Sequence, residues 1–169
     1  MVKEEKKKQI RLSHAIKNYI KELDIDYDYN EDLNLYIFST EGESRRIYDV
    51  VFVFSDEENW LRIMLSMPVD LPPSCEAAIL HVLNKISLQE IFGCLSLQPN
   101  GMMITNSLFI NTSLFCPDKD FFDTTIDDLA DTLDMAFNAV DKLPNKGNAH
   151  LSTFNPLSPF GGGNDNMEN

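Results

Sequence analysis

Cysteine thiols, clustered aspartates and a few histidines are the side chains in this sequence that could do chemistry. Cys94 follows a glycine in the stretch FGCLSLQPNGMMITNSLFI (residues 92–110), which carries no charged residue. A nucleophilic cysteine needs an adjacent base and an oxyanion site. His81 lies in the preceding predicted helix, but apolar residues surround it. We therefore interpret His81 as a structural histidine and assign no catalytic role to Cys94.

The other two cysteines, Cys75 and Cys116, lie far from Cys94 and from each other. The chain contains no CxxC or CxxH pair, which is the spacing typical of a zinc site. This pattern predicts three thiols without a disulfide, largely buried, in a reducing compartment.

Two aspartate-rich segments resemble metal-binding motifs. DDLAD (127–131) matches the DDxxD motif with which isoprenoid enzymes bind magnesium pyrophosphate, but those enzymes are large helical bundles with a second acidic motif. DKDFFD (118–123) lacks the central glycine and the closing glutamate of a calcium loop. We predict that 127–131 and Asp134 form a solvated helix face, and that the aspartates of 118–123 lie at a helix N-terminus. No metal site and no cofactor are predicted.

The size and charge of the chain restrict its partners. It has 169 residues and a net charge of −13, which suits one domain and disfavours nucleic acid and anionic membranes as partners. The basic run Lys6–Lys8 is short, so we interpret it as a solvated helix start. No apolar run reaches the roughly 18 residues that span a bilayer, and no secretory signal is recognisable. We expect a cytoplasmic protein.

Hydrophobic periodicity predicts an α+β domain. A helix at 5–23 is followed by strands that alternate with a period of two, then by a second helix that begins with prolines, a hairpin and a third helix. The predicted strands are 33–38, 47–54, 60–67 and the two arms of a hairpin within 92–110, with 25–29 as a shorter addition or an edge; the later helices are 69–87 and 119–142. We predict an antiparallel sheet of about five strands with three helices on one face, in the order α-βββ-α-ββ-α.

Local patterns make this fold more specific. Asn100-Gly101 predicts a two-residue hairpin turn that places Leu97 opposite Ile104 and Leu95 opposite Asn106. In the second helix the predicted buried residues are Ala78, Ile79, Val82, Leu83 and Ile86.

The candidate binding residues lie on the strand 60–67, where Trp60, Arg62 and Met64 alternate with a row of core residues. The neighbouring strand 47–54 is apolar on both sides, so the register between the two strands is open by one residue. One register places Val50, Phe52 and Phe54 beside Trp60, and the other places Val51 and Val53 there.

We favour the second register because it sends Asp49 outward and Phe52 and Phe54 to the core. Val51 and Val53 then join Trp60, Arg62 and Met64 in a row that has the composition of an interaction surface. The row could instead be covered by the first helix, by the tail or by a symmetric partner, and of these self-association is the strongest alternative.

The domain is predicted to cover residues 1–143, and the Asn-, Gly- and Pro-rich segment 144–169 is predicted to be a disordered tail. Within it, FNPLSPF (154–160) could dock on its own domain or on a partner, or be filler.

The element order and two local sequences resemble the YbjN family of bacterial proteins, whose fold is that of type III secretion chaperones. The first is ENWLRIMLSMPVDLPPS (58–74), a Trp-led strand that ends in proline before a helix. The second is ILHVLNKISLQEIFGCLSLQPNGMMI (79–104), in which the helix continues into a Phe-Gly hairpin; the terminal acidic amphipathic helix completes the match over about residues 5–143.

This resemblance implies a small, acidic, cytoplasmic, non-enzymatic protein, often a homodimer, that binds polypeptide clients or acts as a stress-response regulator. A type III secretion chaperone proper is the nearest alternative. A small-ligand sensor with a pocket between sheet and helices and a cysteine-dependent enzyme are alternatives from other classes.

Overall fold

The fold is known here from a computed structural model that describes residues 11–89, 91–98 and 103–143. These residues form three α-helices and six β-strands. In chain order they are α1 (Leu12–Leu23), β1 (Tyr27–Asn30), β2 (Leu35–Glu41), β3 (Ile47–Ser55), β4 (Trp60–Pro68), α2 (Glu76–Ser87), β5 (Cys94–Gln98), β6 (Met103–Asn111) and α3 (Lys119–Val140). The predicted α+β class with three helices is confirmed.

The strands form one antiparallel sheet in the order β1-β2-β3-β4-β6-β5. We expected about five strands, and the described sheet has six because the short segment at the start of the sheet is a full member. β1 pairs with β2 at the edge, and the ring of Tyr29 stacks on that of Tyr36 at a centroid distance of 4.4 Å. Such cross-strand aromatic pairs stabilise the pairing of a short edge strand with its neighbour.

We call the helix-covered face of the sheet the inner face. In β3 and β4 its buried side chains are Tyr48, Val50, Phe52, Phe54, Leu61, Ile63, Leu65 and Met67. The ring of Phe52 lies 6.1 Å from that of Tyr19 in α1 and 5.5 Å from that of Phe122 in α3. These contacts place both helices on the same side of the sheet.

The second helix contributes Ile79, Leu83 and Ile86 to the core as predicted, and Val82 is half-buried. Ala78 is exposed, so its predicted burial is wrong. Successive residues lie about 100° apart around a helix. Because this helix packs on the core through residues 79, 83 and 86, residue 78 points towards solvent.

The hairpin prediction is confirmed for its strands, because Leu97 pairs with Ile104 and Leu95 with Asn106. The turn residues 99–102 lie outside the described residues. Gly93 precedes the hairpin with φ = +94°, and a Cβ at this position would lie 2.4 Å from Asn106 Oδ1. The buried Asn106 side chain donates to the carbonyl oxygens of Phe92 and Leu129, at 2.9 and 3.1 Å, and so ties this segment to α3.

The turn between β2 and β3 is joined to α3 by an ion pair. Arg46 Nη1 lies 2.8 Å from Asp134 Oδ1, and the guanidinium group lies 4.4 Å from the ring centre of Phe137. Burial opposes ionisation of Asp134, but hydrogen bonds from Ser44, Tyr48 and Arg46 outweigh it and lower its pKa. Burial and the bond to Asp134 raise the pKa of Tyr48 to about 12. The prediction that Asp134 stays in solvent is therefore wrong.

Several predictions concern residues outside the described ranges: the basic run Lys6–Lys8, the segment 154–160 and the tail 144–169 as a whole. The domain boundary at 143 stays a prediction. Within the described ranges, no helix has both the length and the hydropathy needed to cross a bilayer.

Candidate functional site

The favoured register between β3 and β4 is confirmed. Val51 pairs with Met64, Val53 with Arg62 and Ser55 with Trp60, and Asp49 shares their side of the sheet. The five predicted binding residues therefore lie on the face opposite the helices, which we call the outer face. Val51, Val53, Trp60 and Met64 are half-buried and Arg62 is exposed.

The next strand adds an aromatic residue that the sequence analysis missed. Phe109 in β6 pairs with Arg62 and is 64% exposed. Its ring stacks on Trp60 with the centroids 5.6 Å apart and the planes 27° from parallel. Thr105, Ser107 and Phe109 alternate along β6 on this face, and continuing this period of two to position 109 could have identified Phe109 from the sequence.

On the other side, β2 extends the same surface. Ile37 pairs with Val51 and Leu35 with Val53, so both point outward, and Ile37 is 39% exposed. Seven side chains form one apolar patch, which we call the outer patch: Leu35, Ile37, Val51, Val53, Trp60, Met64 and Phe109. In the described part of the chain all three helices pack on the inner face, so no helix covers this patch.

Polar groups on the outer face make few bonds within the described chain. Arg62 Nη2 donates to Ser107 Oγ at 3.3 Å, and no carboxylate of the described residues forms a salt bridge with it. Asp49 Oδ1 accepts a bond of 3.0 Å from Ser39. Trp60 Nε1 donates to Glu58 Oε2 at 2.7 Å, which holds the indole over Phe109.

Cys94 and His81 lie on opposite sides of the sheet. Cys94 lies on the outer face opposite Ser107, whereas α2, which carries His81, packs on the inner side. Cys94 and Cys116 are exposed and Cys75 is half-buried, so the prediction of largely buried thiols is wrong. Cys94 begins an edge strand, and Cys116 lies in the loop before α3. Partial burial raises the pKa of Cys116, and the negative charge of Asp118 raises it further. The reactive thiolate form of Cys116 is therefore disfavoured.

The aspartates of the two motif-like segments lie at the N-terminus of α3 and along its polar side. Asp118 caps α3, because its side chain accepts the N–H of Phe121 at 2.9 Å, as predicted. Asp127 and Asp131 are exposed and Asp128 is half-buried. The pKa of Asp127 is raised, mainly by partial burial. Repulsion from neighbouring carboxylates, of which Asp123 has the largest effect, raises it further. Among the described residues no group of three or more His, Cys, Asp or Glu is arranged to hold a metal ion.

An open pocket of about 690 Å³ lies at one end of the sheet, between the start of α1 and the loop before α3. Phe54 and Phe115 contribute aromatic surface to it, and Arg11, Asp56 and Glu57 contribute charges of both signs. Asp56 already accepts the N–H of Ser13 at 3.1 Å and so caps α1. This pocket specifies no single ligand chemistry.

No protein-family model matches the chain, and no curated protein does. Two solved structures are similar to it. YbjN from E. coli, a proposed transcription regulator, aligns with a TM-score of 0.51 and 11% identity over 76% of this chain and 89% of its own. The Yersinia pestis type III secretion chaperone SycH, solved with a stable fragment of YscM2, gives a TM-score of 0.46 and 14% identity over 76% and 98% of the chains.

The likeness to YbjN concerns the fold alone, because 11% of the aligned residues are identical. The likeness to SycH is weaker, with a TM-score below 0.5. The chain therefore has the YbjN type of α+β fold, and its membership of the YbjN family stays a prediction.

Proposed function

We propose that this protein is a non-enzymatic protein-binding module that holds a polypeptide on the outer face of its sheet. The observation that carries this proposal is the outer patch, seven apolar side chains on a face that no described helix covers. Burial of apolar surface contributes roughly 25 cal/mol per Å², and exposed patches of this kind are typical of protein interaction sites.

The charge of the chain favours particular partners. Acidic residues outnumber basic ones by 27 to 14, so the field around the protein attracts segments rich in lysine or arginine. Such attraction accelerates the encounter and selects among partners, while the apolar contacts supply most of the affinity.

The fold supports the proposal at the level of architecture. YbjN, a proposed transcription regulator, has a similar fold. We propose a YbjN-like regulator or chaperone that works in the cytoplasm of a bacterium by reversible binding, with no bond made or broken.

Site-specific photocrosslinking in cells tests this function. A photoreactive phenylalanine analogue replaces Met64 on the outer face, and in a matched control it replaces Met135, which is 40% exposed on α3. We expect position 64 to crosslink to a polypeptide other than this chain, and position 135 to give no crosslink. The yield should fall when Trp60→Ala is added and should not change when Cys94→Ser is added.

Equal crosslinking from positions 64 and 135 would contradict the proposal. Loss of the crosslink with Cys94→Ser alone would instead favour a thiol-dependent function.

A further inference from the structure

We propose that, when no client is bound, a second copy of this chain covers the outer face, stacked sheet against sheet about a two-fold axis. This inference rests on the proposed function, because it names a partner for the same surface. It makes self-association and client binding compete for the outer patch.

The size of the outer face fits such a partner. Strands lie about 4.8 Å apart and rise about 3.3 Å per residue, so six strands of up to nine residues give a face of roughly 25 by 28 Å. That area of about 700 Å² is close to the approximately 800 Å² that each partner contributes to a specific interface.

The positions of two charges select a copy of the same chain. Among the outward-facing pairs of β3 and β4, the pair with Arg62 follows Val51–Met64 on one side, and the pair with Asp49 follows it on the other. The two charges are therefore diagonal to each other, on either side of the centre of the outer patch. In β3 and β4 Arg62 is the single basic residue on this face, and Asp49 is the single acidic one.

A two-fold axis exchanges these two positions. It lies in the plane between the two sheets, passes over the Val51–Met64 pair and runs perpendicular to the line from Arg62 to Asp49. Each arginine then faces the aspartate of the other copy, and two ion pairs form in one interface, as symmetry requires. Stacked sheets lie about 10 Å apart, a gap that one arginine and one aspartate side chain can span together.

The same axis brings apolar groups into contact. Val51 and Met64 lie at its centre, so each copy packs these residues against those of the other. Within the described chain Arg62 has only the 3.3 Å bond to Ser107, so its guanidinium group retains donors for a carboxylate. Around the axis the surface is thus complementary to itself, with apolar side chains between the two ion pairs.

Charge reversal with light-scattering mass measurement tests the geometry. Arg62→Asp and Asp49→Arg each place like charges opposite each other, so we expect each variant to weaken the dimer about tenfold or more. An equimolar mixture of the two variants restores both ion pairs, and we expect it to form dimers with about the affinity of the unmodified chain. Arg45→Asp and Asp32→Arg are matched controls in exposed turns, and thermal unfolding verifies that all variants are folded.

A monomer at all concentrations, a dimer that both reversals leave unchanged, or a mixture no tighter than its components would overturn the inference. The crosslinking at position 64 separates this failure from that of the proposed function. If the chain is monomeric but position 64 still crosslinks to another polypeptide, only the second-copy inference fails. If neither a dimer nor a crosslink is found there, both fail.

Discussion

The two faces of the sheet use the same strands but differ in what covers them. Along β4, Leu61, Ile63 and Leu65 are fully buried under the helices, whereas Trp60 and Met64, which alternate with them, lack this cover. Apolar residues on both sides of a strand are typical of sheets covered on both faces. Among the described residues, the helices cover the inner face and none covers the outer face, where we propose that a partner binds.

The largest difference between the faces should appear in stability. Phe122 is fully buried, and its ring lies 4.7 Å from that of Tyr19. We expect Phe122→Ala to lower the free energy of unfolding by about 3–5 kcal/mol, because it leaves a cavity in the core. Phe109→Ala on the outer face is the matched control and should cost less than about 1 kcal/mol in dilute protein. Denaturant titration measures both, and equal losses would contradict the division between the faces.

A smaller effect concerns the ion pair that attaches the β2–β3 turn to the helical layer. We expect Asp134→Ala to cost about 1–3 kcal/mol at neutral pH, because it removes charged hydrogen bonds from Arg46 and Tyr48. The folded-state pKa of Asp134 is lower than its ordinary value of 3.8, so this contribution is present above that value. It is lost as the pH falls through the folded-state pKa.

Unfolding of the Asp134→Ala variant should therefore approach that of the unmodified chain in acid. A difference that stays constant from neutral pH to well below pH 3.8 would show that the charge of Asp134 is not the cause.

The acidic face of α3 should show a small effect of opposite sign. The pKa of Asp127 is raised above its ordinary value of 3.8, so its ionised form destabilises the fold. We expect Asp127→Asn to increase stability by about 0.3–0.5 kcal/mol at neutral pH, the scale of like-charge pairs four residues apart on a helix. The gain should disappear as the pH falls below the ordinary value, where the wild-type aspartate is protonated in both states. A loss of stability at neutral pH would indicate that Asp127 has a favourable partner.

Substitutions in the outer patch should change stability little and binding strongly. We expect the combined Trp60→Ala and Met64→Ala variant to unfold within about 1 kcal/mol of the unmodified chain when dilute. It should lose the partner that crosslinks from the outer face, because aromatic and apolar anchors dominate interface energies. Met135→Ala serves as the control for binding. A folded double variant that binds the partner as tightly as the control would show that the outer patch is not the binding site.

The faces of the strands could be predicted because short-range patterns determine them. Asp49 must point to solvent, and this requirement selected the register that the structure has between β3 and β4. Asn100-Gly101 likewise predicted the pairing of β5 with β6. Continuing the alternation of β6 to Phe109 would have completed the aromatic pair with Trp60.

Other features depend on contacts between distant parts of the chain. Arg46 and Asp134 are 88 residues apart, and the helical periodicity of α3 assigned Asp134 only to its polar side. A hydrophobic pattern does not show that a distant turn supplies an arginine to that side. The exposure of Cys116 similarly depends on the course of the loop before α3, for which periodicity has no signal.

Fluorescence quenching of Trp60 tests the central claim most directly, because Trp60 is the only tryptophan in the chain and lies on the outer face. An aqueous quencher is titrated over a range of protein concentrations, with the mass followed by light scattering. We predict that Trp60 is readily quenched in dilute monomer and becomes protected as the protein associates, and that the Arg45→Asp variant behaves like the unmodified chain. Association that leaves the quenching of Trp60 unchanged would contradict the claim that partners bind on the outer face.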